Sequence, residues 1–145
     1  MTRDSISYHV LQALRRIRVA TFYLESGMID EAKKEALKSW RQIMSSLLIM
    51  NLYKEELKLS SYNVPRSKIF SVSKSLEDKG YNDLVEISAI YFSLLQDIPQ
   101  SEIKILIIKL IEDEMNHIRE WFKSTWNQKL ESEFIDTTSS LKNVL

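Results

Sequence analysis

Two glycines and two prolines in 145 residues leave this chain few places to turn. Turns draw on glycine for positive φ and on proline for a preset φ. A sheet protein of this length needs many such turns, so their scarcity favours long helices and few connections. No segment alternates apolar and polar residues convincingly, whereas apolar spacings of three and four recur throughout. The expected class is all-α: a compact antiparallel bundle of about five helices, each stabilised mainly by burying one face.

The first helix is expected from Asp4 or Ser5 to Ser26, with Ile6, Val10, Ala13, Leu14, Ile17, Thr21 and Leu24 on one buried stripe. Tyr8, Leu11, Val19 and Phe22 lie off that stripe, and a helix apolar on two sides is central or meets a second chain. Gly27 can take the left-handed cap that ends it. Asp30 is a good N-cap for the second helix, which reads on past Trp40 toward Lys58. Its small Ala32, Ala36 and Ser39 admit a close neighbour, and Trp40 should fill the core between the first and last helices. The polar SSYNVPRS at 60–67 reads as a loop. A short helix covers about 68–79, and another starts at a cap on Asn82 or Asp83. A long last helix runs from about Ser101 to Phe134 at most, offering Ile105, Ile108, Met115 and Trp126 over more than one face. One domain covers 1–136, and 137–145 is a frayed or loosely docked tail.

Composition removes several functions. With no cysteine there are no disulfides, thiolate metal sites or cysteine nucleophiles. Twenty basic and twenty acidic residues cancel, so no global field draws the chain to nucleic acid. The most apolar run, ILIIKLI at 105–111, is too short to span a bilayer, and the first residues lack a secretory apolar core. No membrane partner is expected, and the cytoplasm is the expected location.

The stretch ATFYLESGMIDEAKKEALKSWRQIMSSLL resembles the first helix pair of the archaeal PaREP-type proteins, among the HEPN-like helical bundles. Tyr23, Leu24 and Gly27, then Ala32, Ala36, Lys38, Ser39 and Trp40, fit that pattern over about residues 10–52. Gly27, Ala36 and Trp40 read as structural. Many HEPN domains are metal-independent ribonucleases with an arginine, four to six residues and a histidine on a late helix. Here the residues before His117, KLIEDEMN, hold no arginine, and Glu112, Asp113 and Glu114 would repel a phosphate. Arg3 and His9 have a suitable spacing but the wrong place in the chain. The resemblance therefore implies a non-catalytic member that needs no cofactor.

Glu114-x-x-His117 is half of a ferritin-like di-metal motif, but Ile6 stands where His9 would need a glutamate, so no metal site is expected. The candidate binding residues are Arg15, Arg16, Arg18, Lys38, Arg41 and His117. Guanidinium groups grip phosphates, so a nucleotide or RNA edge is conceivable; the plainer account is a solvated face of ion pairs, Lys34 and Lys38 with Glu31 and Glu35. The preferred reading is a homodimeric binding or scaffold protein. The alternatives are a metal-independent ribonuclease with a divergent site, or a helical-repeat-like adaptor for other proteins.

Overall fold

The computed structural model describes residues 3–51 and 64–145, with side chains from residue 5 onward. Six α-helices follow one another: α1 (Arg3–Glu25), α2 (Ile29–Asn51), α3 (Ile69–Glu77), α4 (Leu84–Leu94), α5 (Gln100–Trp121) and α6 (Gln128–Lys142). A 3-10 turn, Arg66–Lys68, leads into α3, and no strand occurs among the described residues. None of these helices is long and apolar enough to cross a membrane. The expected continuation of the second helix to Lys58 and the first part of the 60–67 loop lie outside the described residues.

The α1–α2 joint forms as its glycine dictates. Gly27 has φ +76°, its N–H donates to Leu24 O at 3.2 Å, and Met28 N–H donates to Tyr23 O at 2.8 Å. That pair of bonds satisfies the carbonyls left open at the end of α1. No other atom stands within 4 Å of where a Cβ would be, so backbone angle and not crowding calls for glycine. The hairpin zips Ile6, Val10, Leu14 and Ile17 of α1 together with Ala32, Ala36, Ile43 and Leu47 of α2 into one continuous core.

Three expectations are corrected. The long last helix is two helices, because residues 122–127 turn. Thr125 Oγ1 donates to Phe122 O, and Asn127 Oδ1 accepts from Leu130 N at 2.9 Å, capping α6. The bundle thus has six helices and not five. Residues 137–142 are helical where a loose tail was expected, and Thr137 and Leu141 are buried. The start of α4 differs too. Asp83 sits at the cap position with φ 68° and makes no capping bond; Glu77 at the end of α3 accepts from Val85 N at 2.9 Å instead.

The pairing of α1 and α6 departs from a purely antiparallel arrangement. Ser7 Oγ donates to Thr125 O, Arg15 meets Glu133, and Arg18 meets Asp136, so residue numbers rise together along both helices. Trp40 is fully buried, as expected, and packs on α5, which lies within the span expected for the last helix, while its hydrogen bond goes to α4. The indole N–H donates to Ser88 Oγ at 3.1 Å, and the ring packs 5.8 Å from Trp121. Of the apolar residues expected off the main stripes or spread over more than one face, Leu11 and Met115 are buried, and Ile108 and Trp126 pack partly against the core. Tyr8, Val19, Phe22 and Ile105 remain exposed.

Candidate functional site

The expected site residues are not brought together. Arg15 and Arg18 both reach the buried carboxylate of Glu133 on α6, at 3.4 and 3.1 Å. Arg16 turns the other way, to Glu35 and Gln42 on α2 at 3.2 and 3.1 Å. Each arginine of this trio is thus paired at the bundle surface, tying α1 to its two neighbours. Glu35 serves Arg16, where an ion pair with its own helix's lysines was expected.

Gln42 carries the network on to the first histidine. Arginine can only donate, so Gln42 Oε1 accepts from Arg16 and its Nε2 donates to His9 Nδ1 at 3.3 Å. That bond needs an unprotonated Nδ1, and burial lowers the His9 pKa from 6.5. Below about pH 6.5 the unfolded chain then binds more protons than the folded one, so acidification removes stability. Denaturation at pH 7 and pH 5 should show a larger acid loss in wild type than in His9→Asn. An equal loss in both would remove His9 from this role.

His117 stands on the outer side of α5, stacked on Trp121 with ring centroids 5.1 Å apart. Its Nδ1 lies 2.8 Å from Asp113 O and its Nε2 2.9 Å from Asp83 Oδ2. Both ring nitrogens lie within hydrogen-bond distance of protein oxygens. Together with the bond from Trp121 Nε1 to Asn82 O, they pin the turn before α4 onto α5. Asp83 holds a left-handed backbone that non-glycine residues seldom adopt, and this double attachment over-determines it. A cleft of about 310 Å³ opens here, lined by Lys79, Tyr81, His117 and Glu120 among others.

Glu114 does not share a site with His117. It is fully buried against α2, 3.2 Å from Ser39 Oγ through both oxygens. Burial pushes its carboxyl well above the ordinary range, with the neighbouring Asp113 adding to the effect and Ser39 opposing it. Ser39 Oγ is the donor here, with Ala36 O at 2.9 Å competing for the same proton. No group of three or more His, Cys, Asp or Glu side chains is placed to hold a metal ion among the described residues.

Arg41 differs from the other arginines. Its Nε is buried without a hydrogen-bond partner. Burial raises the phenol of Tyr91 on α4, opposed by the charges of Arg41 and Arg66 and by an Arg66 side-chain hydrogen bond. Sequence reasoning found Arg41 but missed Arg66 and Tyr91. Tyr91 sits on an inward stripe and reads only as core, and Arg66 stands in what reads as a plain loop. Lys38, exposed, lies one turn before Arg41 on α2.

Comparison with known proteins returned no matching family model, no matching curated protein and no matching solved structure.

Proposed function

We propose that this chain is a non-catalytic binding or scaffold protein, a HEPN-like bundle of the PaREP type that works in the cytoplasm as a homodimer. One observation carries the assembly. Tyr8, Gln12, Arg15, Val19 and Phe22 follow the alternating four- and three-residue spacing of a helix-pairing seam on the outer side of α1. Within that seam Tyr8, Val19 and Phe22 are 56%, 41% and 67% exposed. Three exposed apolar side chains on one helix face, with Gln12 and Arg15 between them, support an interaction site there.

The seam is nearly symmetric about Arg15, with an aromatic ring seven residues away on each side, or about 10 Å along the axis. Two copies crossing antiparallel at Arg15 would set each Tyr8 against the other copy's Phe22. The cleft of about 300 Å³ beside Tyr8, floored by Leu11 and Leu130, gives that Phe22 a seat. Arg15 is already engaged by Glu133, so the crossing does not meet two bare charges. These features support a second copy on this face, and two-fold pairing is the commonest way to cover such a surface.

The non-catalytic half of the reading rests on His117, whose ring nitrogens are both engaged and whose helix supplies no arginine toward it. Sedimentation at micromolar concentration should return twice the 17.1 kDa chain mass. Phe22→Asp, at an exposed position, should return the single-chain mass with an unchanged helical spectrum. A clean monomer in wild type would sink the assembly. Metal-independent RNA cleavage that disappears in His117→Ala would sink the non-catalytic reading.

A further inference from the structure

The cleft of about 310 Å³ between the α3–α4 turn and the end of α5 is built before anything enters it. Tyr81 on the turn accepts from Asn51 Nδ2 at 2.9 Å and donates to Asn51 Oδ1 at 3.2 Å, which ties its ring to the end of α2. Trp121 is held by its bond to Asn82 O and by the stacked ring of His117. Ser124, on the far side, reaches Met50 Sδ at 3.7 Å, so the end of α2 backs that wall as well. Walls fixed in this way lose little freedom when the cleft is filled, which favours binding. Because the polar tips of Tyr81 and Trp121 are already bonded, what they leave to a guest is ring surface. The volume falls at the lower end of the range for small-molecule pockets.

The mouth of the cleft is cationic. Lys79 follows the end of α3 and Lys123 follows the end of α5, places where a helix dipole favours positive charge. Lys79 meets no acidic group among the described residues. Lys123 pairs with Glu120 at 3.1 Å, but both side chains are 75% exposed, so water screens that pair and a ligand can exchange with it. Lys79 and Lys123 against Glu120 leave a net of one positive charge at the mouth. That balance suits a ligand with a single negative charge and not the double charge of a phosphate monoester. Lysine is also a point charge on a flexible stem, so two ammonium groups from opposite lips can close on one carboxylate.

We propose that this cleft binds a small aromatic carboxylate, its ring against Tyr81 and the edge of Trp121 and its carboxylate between Lys79 and Lys123. The ring supplies apolar burial, and the two lysines select for the acid over an uncharged molecule of the same shape. This goes beyond the binding or scaffold reading by naming what one part of the surface takes.

Titration of the nitrogen-15-labelled full chain with indole-3-acetate, followed by NMR at constant ionic strength, tests this. The chain has three tryptophans, so three indole N–H signals report. Saturable movement of the Trp121 signal is expected at about millimolar ligand, the affinity of a molecule this small. The signal of Trp126, which is bonded to Glu131 on α6, should stay in place. Indole-3-acetamide keeps the ring without the charge and should bind about fivefold more weakly, the upper end for an exposed charge pair. Acetate keeps the charge without the ring and should not saturate. Lys79→Gln, at an exposed position, should weaken indole-3-acetate by the same factor and leave indole-3-acetamide as it was. Lys104→Gln, also exposed and about 20 Å before His117 along α5, should change neither. No saturable shift at Trp121, equal binding of acid and amide, saturation by acetate, or an equal loss in Lys104→Gln would overturn the proposal. The cleft shares no residue with the α1 seam: a monomer in sedimentation leaves it standing, and a failed titration leaves the dimer standing.

Discussion

Trp40→Ala is expected to cost about 3–5 kcal/mol, the range for emptying a large aromatic site in a packed core. The side chain is fully buried, touches Trp121, and gives its N–H to Ser88. Ser88 in turn bonds Ser73, so the indole anchors a short polar chain that links α2, α3 and α4. Trp40→Phe separates the two contributions. It retains most of the apolar volume and withdraws the hydrogen bond, whose net worth is about 1 kcal/mol. Urea denaturation of both variants measures this. An alanine variant melting within a degree or two of wild type would show that the core closes over the gap without loss.

The second large effect is on Glu114. Folded Glu114 keeps its proton to a higher pH than it does in the unfolded chain, where its value is near 4.5. Between the two values the folded state binds more protons. Stability contributed by this group is therefore full below about pH 4.5, falls as pH rises toward the folded value, and stays low above it. Each unit of separation corresponds to about 1.4 kcal/mol. Glu114→Gln cannot ionise, and its amide oxygen can still accept from Ser39. The variant should match wild type near pH 4.5 and be the more stable protein at pH 8. Because every other titrating group is common to both, the difference between their pH curves isolates Glu114. Parallel curves would show that the carboxyl is not held neutral.

Much of the architecture was legible in the chain. The apolar spacing of α1, the Gly27 turn and the inward face of α2 follow from local rules, and the structure repeats them residue by residue. The break at 122–127 was legible in principle. Thr125 and Asn127 both bond backbone readily, and Asn127 stands three residues before Leu130, but the aromatic Phe122 and Trp126 keep helical spacing across the gap and disguise it. Glu77 capping α4 was not legible, because the acceptor and the N–H it serves belong to different helices. The fate of the arginines was hidden for the same reason. Arg15, Arg16 and Arg18 look like one basic patch along the chain. Arg15 and Arg18 meet their carboxylate only because α6 packs beside α1 from more than a hundred residues away, whereas Arg16 meets Glu35 on α2.

That pairing bears on how the chain reaches its native state. The α1–α2 hairpin needs only neighbouring residues and can form as soon as both helices exist. The flank of α1 that receives α6 has no such neighbour. Ser7, Leu14, Arg15 and Arg18 find their α6-side partners 115 to 123 positions later. Contacts at that separation carry a large loop-closure cost and form late. During synthesis at about 5–20 residues per second, this flank waits several seconds after α1 emerges before the residues that cover it are made. Over that interval the nascent chain presents an uncovered strip of α1, and with it the hazard that two growing copies meet there before either has closed.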